Sequence, residues 1–296
     1  MIARNGQLGY KGSMAESEAG ILGKLHRFTK LEHTVFSLPL LFSGAWIGAG
    51  GAWPSRTTLG LLVAAGVGAR VLGMAMNRIL DRHIDAKNPR TRNRELPAGT
   101  ISLTAAWTTA AAGLAVYEIA CFLLGPLIAL LSPIPAVVLI GYSLLKRFTP
   151  LCHFGIGLAM GLAPAGAYTA VTLSLQPTWD ILAIFVFAFF WISGFDIIYA
   201  LLDETSDRVN GVHSLPVTLG ANGAQWAAAV THLAAFAALI ALVWGGTYRI
   251  PGYLCLAVSA GGFIAAHISR IPVAVRFFPI SAVAGIAGAL IPFFKS

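Results

Sequence analysis

The chain has 296 residues, of which 57% are hydrophobic and only 11% charged, far below the roughly 25% charged residues of a soluble domain. A net charge of +8 could suit nucleic acid, but the basic residues are confined to short segments between apolar runs, which excludes a nucleic-acid partner. The composition is that of a polytopic membrane protein. The first twenty residues, MIARNGQLGYKGSMAESEAG, are polar and lack the apolar core of a cleaved signal peptide. Residues 1–24 read as a disordered cytoplasmic tail, and residues 25–296 as a single transmembrane domain.

A spanning helix needs about 20 mostly apolar residues. That criterion predicts nine, at 34–52, 57–77, 102–121, 123–143, 151–173, 179–201, 224–244, 250–269 and 276–294. The third and fourth nearly merge at Leu123–Pro126. Short loops rich in Lys and Arg stay on the cytoplasmic side. With the N-terminus inside, sixteen basic residues fall on that side and three (Arg56, Arg249 and Lys295) on the other, while Arg70 lies within the second span. The two long inter-helix loops, 78–101 and 202–223, are then both cytoplasmic. Cys121, Cys152 and Cys255 form no CxxC pair and read as small apolar residues. His33, His153, His213 and His267 show no metal-ligand spacing and read as interfacial or loop residues, His33 being the one worth testing.

At the end of the second span the chain reads NRILDRHID, placing Asn77, Asp81 and Asp85 four apart. On one helix face such carboxylates repel each other, so a cation is expected between them. The sixth span ends in FDIIYALLDETSD, where Tyr199, Asp203 and Asp207 repeat the spacing. Each motif has a similar exit, RELPAG at 94–99 and HSLPVTLG at 213–220, which suggests two related halves.

Four aspartates facing one cavity require neutralisation, and oxygen-only ligands suit Mg²⁺. Magnesium binds through one or two carboxylates together with substrate phosphates, so the implied ligand is a diphosphate. Arg78, Arg82, Lys87, Arg90, Arg92 and Arg94 in the first loop, and Lys146 and Arg147 after the fourth span, supply cations for it. Positive-inside bias alone explains Arg78, Lys87, Arg90 and Arg92 equally well, but it does not explain a twofold DxxxD. Arg70 lies seven residues before Asn77, on the same face and about 10 Å deeper. A charge at that depth faces a cavity or pairs with Glu118 of the third span. Asp196 lies seven before Asp203.

NRILDRHID with NPRTRNRELPAG, YSLLKR at 142–147 with GLAMGLAPAGAYTAV, and DIIYALLDETSD with GVHSLPVTLG together resemble the UbiA-type intramembrane prenyltransferases. The resemblance implies an all-α bundle around a central cavity, open laterally to membrane lipid and capped on the cytoplasmic side by the two acidic loops. It also implies Mg²⁺-dependent transfer of a polyprenyl chain from its diphosphate to an aromatic ring. On it, Asp81, Asp85, Asp203 and Asp207 hold the metal, and Asn77 completes the first motif. Arg94, Lys146, Arg147 and Tyr199 serve the diphosphate, and Arg70 and Asp196 the acceptor. Arg70 matches an arginine of the 4-hydroxybenzoate branch, which makes 4-hydroxybenzoate the expected acceptor in respiratory quinone (ubiquinone or menaquinone) synthesis, in a bacterial inner membrane.

The first span departs from that branch. Its KLEHTVFSLP, at 30–39, resembles a related branch that includes menaquinone enzymes with a dihydroxynaphthoate acceptor, which stands as the alternative. A haem or chlorin acceptor shares only the acidic motifs. A secondary transporter with related halves is the reading from another class, but its ionisable groups belong at the bilayer midplane, whereas these cluster at helix ends.

Overall fold

The computed structural model describes residues 20–31 and 34–296. Residues 1–19 of the expected tail, and Glu32 and His33 of the KLEHT segment, lie outside the described residues. Helix α1, Ile21–Thr29, begins inside the stretch read as tail and ends at Lys30, which takes a left-handed conformation (φ 50°). Beyond it the described residues are helical, apart from turns and an isolated bridge between Tyr248 and Lys295.

Among the described residues, seven helices are long and apolar enough to cross a membrane: α3 Arg56–Lys87, α4 Leu103–Leu124, α5 Pro126–Arg147, α6 Pro150–Thr172, α7 Trp179–Ala200, α9 Leu215–Trp244 and α11 Val273–Phe294. Between them, α8 is a short helix at Glu204–Val209. The expected first and eighth spans are helices too, but shorter: α2 Thr34–Gly48 and α10 Ile250–Ala266.

The boundaries follow local chemistry. Ser55, Ser102, Thr178 and Ser214 each accept a backbone N–H three residues on, capping α3, α4, α7 and α9. Gly125, at φ 129°, separates α4 from α5 where the sequence nearly merged them. Helix α9 begins nine residues earlier than expected, because Leu215–Leu219 is already helical and only Gly220 (φ 70°, ψ 171°) breaks the run.

The larger correction concerns α3. It runs 32 residues and does not stop at Asn77, so the first acidic motif is a continuous helix face and the loop begins at Asn88. The second motif differs. Tyr199 closes α7, Asp203 stands in the turn, and Asp207 belongs to α8, so its spacing is not that of one helix face.

Helix α7 is the centre of the bundle, with Ile184, Phe187, Ala188, Trp191, Phe195, Ile197 and Ile198 buried on all sides. Trp191 donates its indole N–H to the Ser281 carbonyl at 3.1 Å, tying α7 to α11. Two glycines of α2 pack against α6: a Cβ on Gly44 would lie 2.0 Å from the Pro164 carbonyl oxygen, and one on Gly48 3.1 Å from that of Tyr168. Gly44→Val should therefore cost about 2 kcal/mol or more, the scale of overpacking a tight contact. Thermal unfolding in detergent measures it, and an unchanged midpoint would mean that α2 and α6 are not locked at this crossing.

Candidate active site

At one end of the bundle lies a cavity of about 350 Å³. Ten of the eleven residues singled out from the sequence line it: Arg70, Asn77, Asp81, Asp85, Arg94, Lys146, Asp196, Tyr199, Asp203 and Asp207. Arg147 does not. It follows Lys146 on the 3₁₀ turn Tyr142–Arg147, where neighbours point about 120° apart, and its guanidinium donates to the Leu80 carbonyl at 2.5 Å.

The carboxylates are answered by cations of the chain itself. Asp81 Oδ2 accepts from Lys146 Nζ at 2.6 Å and from Asn77 Nδ2 at 2.9 Å. Both oxygens of Asp85 accept from Arg94 Nη1 at 2.9 Å. Asp203 is held by Asn88 Nδ2 at 2.6 Å and Arg90 Nε at 2.8 Å, with a second Arg90 bond to Oδ2. Arg90 also donates to the Tyr199 hydroxyl at 2.7 Å, and the Tyr199 ring stacks on Phe277 at 4.0 Å. Burial, and then the charge of Asp203, push the Asp207 carboxyl up to about 7.

Among the described residues, no three acidic, histidine or cysteine side chains gather into a ready-made metal cage. Three of the four aspartates are paired with Lys146, Arg94 and Arg90. The residues nevertheless fit a hard cation completed by substrate oxygens. The donors are carboxylates only, and Asp81 Oδ1 is buried with no hydrogen-bond partner. The cavity also carries a buried arginine, Arg78, whose Nε and Nη1 have no acceptor, an arrangement that favours an anionic guest.

Arg70 Nη2 lies 3.4 Å from the Lys30 carbonyl, while Glu118 accepts from Ser132 Oγ at 2.5 Å, so the pairing of Arg70 with Glu118 is not formed. Asp196 bonds His153 Nδ1 at 2.7 Å. Asn88 and His153 are the site residues that sequence reasoning missed, whereas Arg90 stood there as a diphosphate cation or an ordinary loop charge. The Asn-Pro step at 88–89 marks a turn, the only hint for Asn88. For His153 there was no signal.

A second pocket of about 140 Å³ adjoins the first. Arg70, Met74, Tyr142, Ile156 and Met160 border both, and Leu38, Leu41, Leu139 and Ala163 make the second one apolar.

Residues 37–272 match the UbiA prenyltransferase family. The 4-hydroxybenzoate octaprenyltransferase of Actinobacillus pleuropneumoniae serotype 3 (strain JL03) is 31% identical over 246 residues, covering 81% of this chain and 80% of the relative. The enzyme of the same name from Cupriavidus necator is 32% identical over 245 residues, covering 79% and 82%. The apo structure of a UbiA homologue from Aeropyrum pernix K1 superposes with a TM-score of 0.78 at 32% identity, covering 88% of this chain and 96% of that one. A UbiA homologue from Archaeoglobus fulgidus, bound to DMAPP and Mg²⁺, shares the fold at a TM-score of 0.69 and 18% identity, covering 91% and 99%. The spanning helices, the motifs and these likenesses agree: the chain is an integral, multi-pass membrane protein and belongs to the UbiA prenyltransferase family.

Proposed function

We propose that the protein transfers a polyprenyl group from polyprenyl diphosphate to the ring of an aromatic acid, with 4-hydroxybenzoate as the acceptor, in respiratory quinone synthesis. The observation that carries this is the joining of a polar cavity, walled by carboxylates and cations, to an apolar pocket across the shared residues Arg70, Met74 and Tyr142. Such a pair of pockets fits an amphiphile with a charged head and an apolar tail. The names of the relatives at 31–32% identity point the same way.

Mg²⁺, held by Asp81, Asp85, Asp203 and Asp207, would supply charge neutralisation at the diphosphate oxygens. Lys146, Arg94 and Arg90 stand beside those carboxylates and can turn to the leaving diphosphate as its charge develops. Tyr199, fixed by Arg90 and Phe277, walls this end of the cavity. Arg147 is left out of the diphosphate set. Arg70, at the border of the polar and apolar pockets, is assigned the acceptor's carboxylate. Apolar walls exclude the water that would otherwise quench an allylic cation. The excess of basic residues supports an N-terminus and a cavity mouth on the cytoplasmic side of a bacterial inner membrane.

Membranes carrying the protein, given an all-trans polyprenyl diphosphate and Mg²⁺, should yield prenylated 4-hydroxybenzoate by mass spectrometry. The product should vanish with EDTA and return with added Mg²⁺. Product with dihydroxynaphthoate alone would move the chain to the branch that KLEHTVFSLP resembles. Product with neither acceptor would defeat the reading.

A further inference from the structure

Five aspartates line the cavity, and four of them lie in the two motifs. The fifth, Asp196, is one turn inside the end of α7 and has a different kind of partner. Its Oδ2 lies 2.7 Å from Nδ1 of His153, a residue only 2% exposed. The other ring nitrogen, Nε2, accepts the Leu215 backbone N–H at 3.3 Å where α9 begins. The imidazole is thus held between the Asp196 carboxylate and the first backbone N–H of α9.

This separates Asp196 chemically from its neighbours. Asp81, Asp85 and Asp203 each face a lysine or arginine, which stabilises the anion and weakens it as a base. Asp196 faces an imidazole instead, keeps Oδ1 without a hydrogen-bond partner among the described residues, and has a side chain 29% exposed. It lines the same cavity as Arg70.

Resting on the prenyl-transfer reading above, we propose that His153 is a positioning residue that holds Asp196 to accept the proton released by the aromatic ring. The donor's C–O bond breaks and its electron pair leaves with diphosphate. The ring supplies the pair for the new C–C bond. The C–H bond at that carbon then breaks, its electrons restore aromaticity, and the proton passes to Asp196 Oδ1. Without His153 the carboxylate keeps its charge but loses the contact that fixes its direction.

The test uses the full-length protein in membranes with polyprenyl diphosphate, Mg²⁺, and either normal or ring-deuterated 4-hydroxybenzoate. His153→Ala should lower kcat about 100-fold, the scale of losing positioned acid–base catalysis, and should raise the deuterium isotope effect from near unity to a primary value as proton loss becomes limiting. Stabilisation of the protein by inorganic pyrophosphate with Mg²⁺, read by thermal shift, should match the wild type. Asp196→Asn, nearly isosteric, should show the same isotope effect and guards against a folding defect in the alanine variant. A kcat within about twofold of wild type in both variants would overturn the proposal, as would a slower rate with no isotope effect in either. A wild-type protein that prenylates no aromatic acid would fail the functional reading instead, and the wild-type control separates the two.

Discussion

Asp81→Asn is expected to lower kcat for prenyl transfer about 1000-fold, the upper scale for removing one preorganised charge-stabilising group. The substitution keeps the volume and the hydrogen bond from Asn77, but it deletes the anion facing Lys146 at 2.6 Å. It also replaces the buried Oδ1 that has no protein partner, the atom best placed to meet a cation. Asp203→Asn should act similarly through a different set of contacts, since Asn88 and Arg90 both converge on Asp203. Initial rates at saturating donor and acceptor measure the effect, with thermal unfolding in detergent to show that the variants remain folded. If either variant keeps a tenth of the wild-type rate, that carboxylate does not belong to the machinery that expels diphosphate.

Arg70→Ala should raise KM for the acceptor by about 10- to 100-fold, since a hydrogen-bonded contact to a charged group is worth about 1.5–3 kcal/mol, and should leave KM for the donor near its wild-type value. The reason is place: Arg70 borders both the polar cavity and the apolar pocket, whereas the cations paired with the aspartates line only the former. The methyl ester of 4-hydroxybenzoate, which lacks the carboxylate, should bind wild type and variant alike. A rise confined to the donor would transfer Arg70 to the diphosphate.

Much of the fold was legible in composition and hydropathy, because a bilayer demands long apolar helices with satisfied backbones. The errors lay where polar chemistry overrode hydropathy. Helix α3 runs through Asp81 and Asp85 because Lys146 and Arg94 neutralise them, and no window on α3 alone contains either fact. The first motif was legible because its members share one helix face. The partners of the second were not: Arg90 and Asn88 reach Asp203 across more than a hundred residues. His153 meets Asp196 only when α6 packs beside α7. Arg147 looked like a twin of Lys146 in sequence, and only the 3₁₀ turn sends the two in different directions.

Helix α3 also works as a ruler. Its 32 residues, at 1.5 Å each, give about 48 Å, against a hydrocarbon core about 30 Å thick. The surplus of about 18 Å is roughly twelve residues, close to the stretch from Asn77 to Lys87. A lipid-borne diphosphate already floats with its head at the bilayer edge and its tail within. On the proposed reading, a helix of this length would meet that head at the height where it rests, so that the donor need not be lifted out of the membrane.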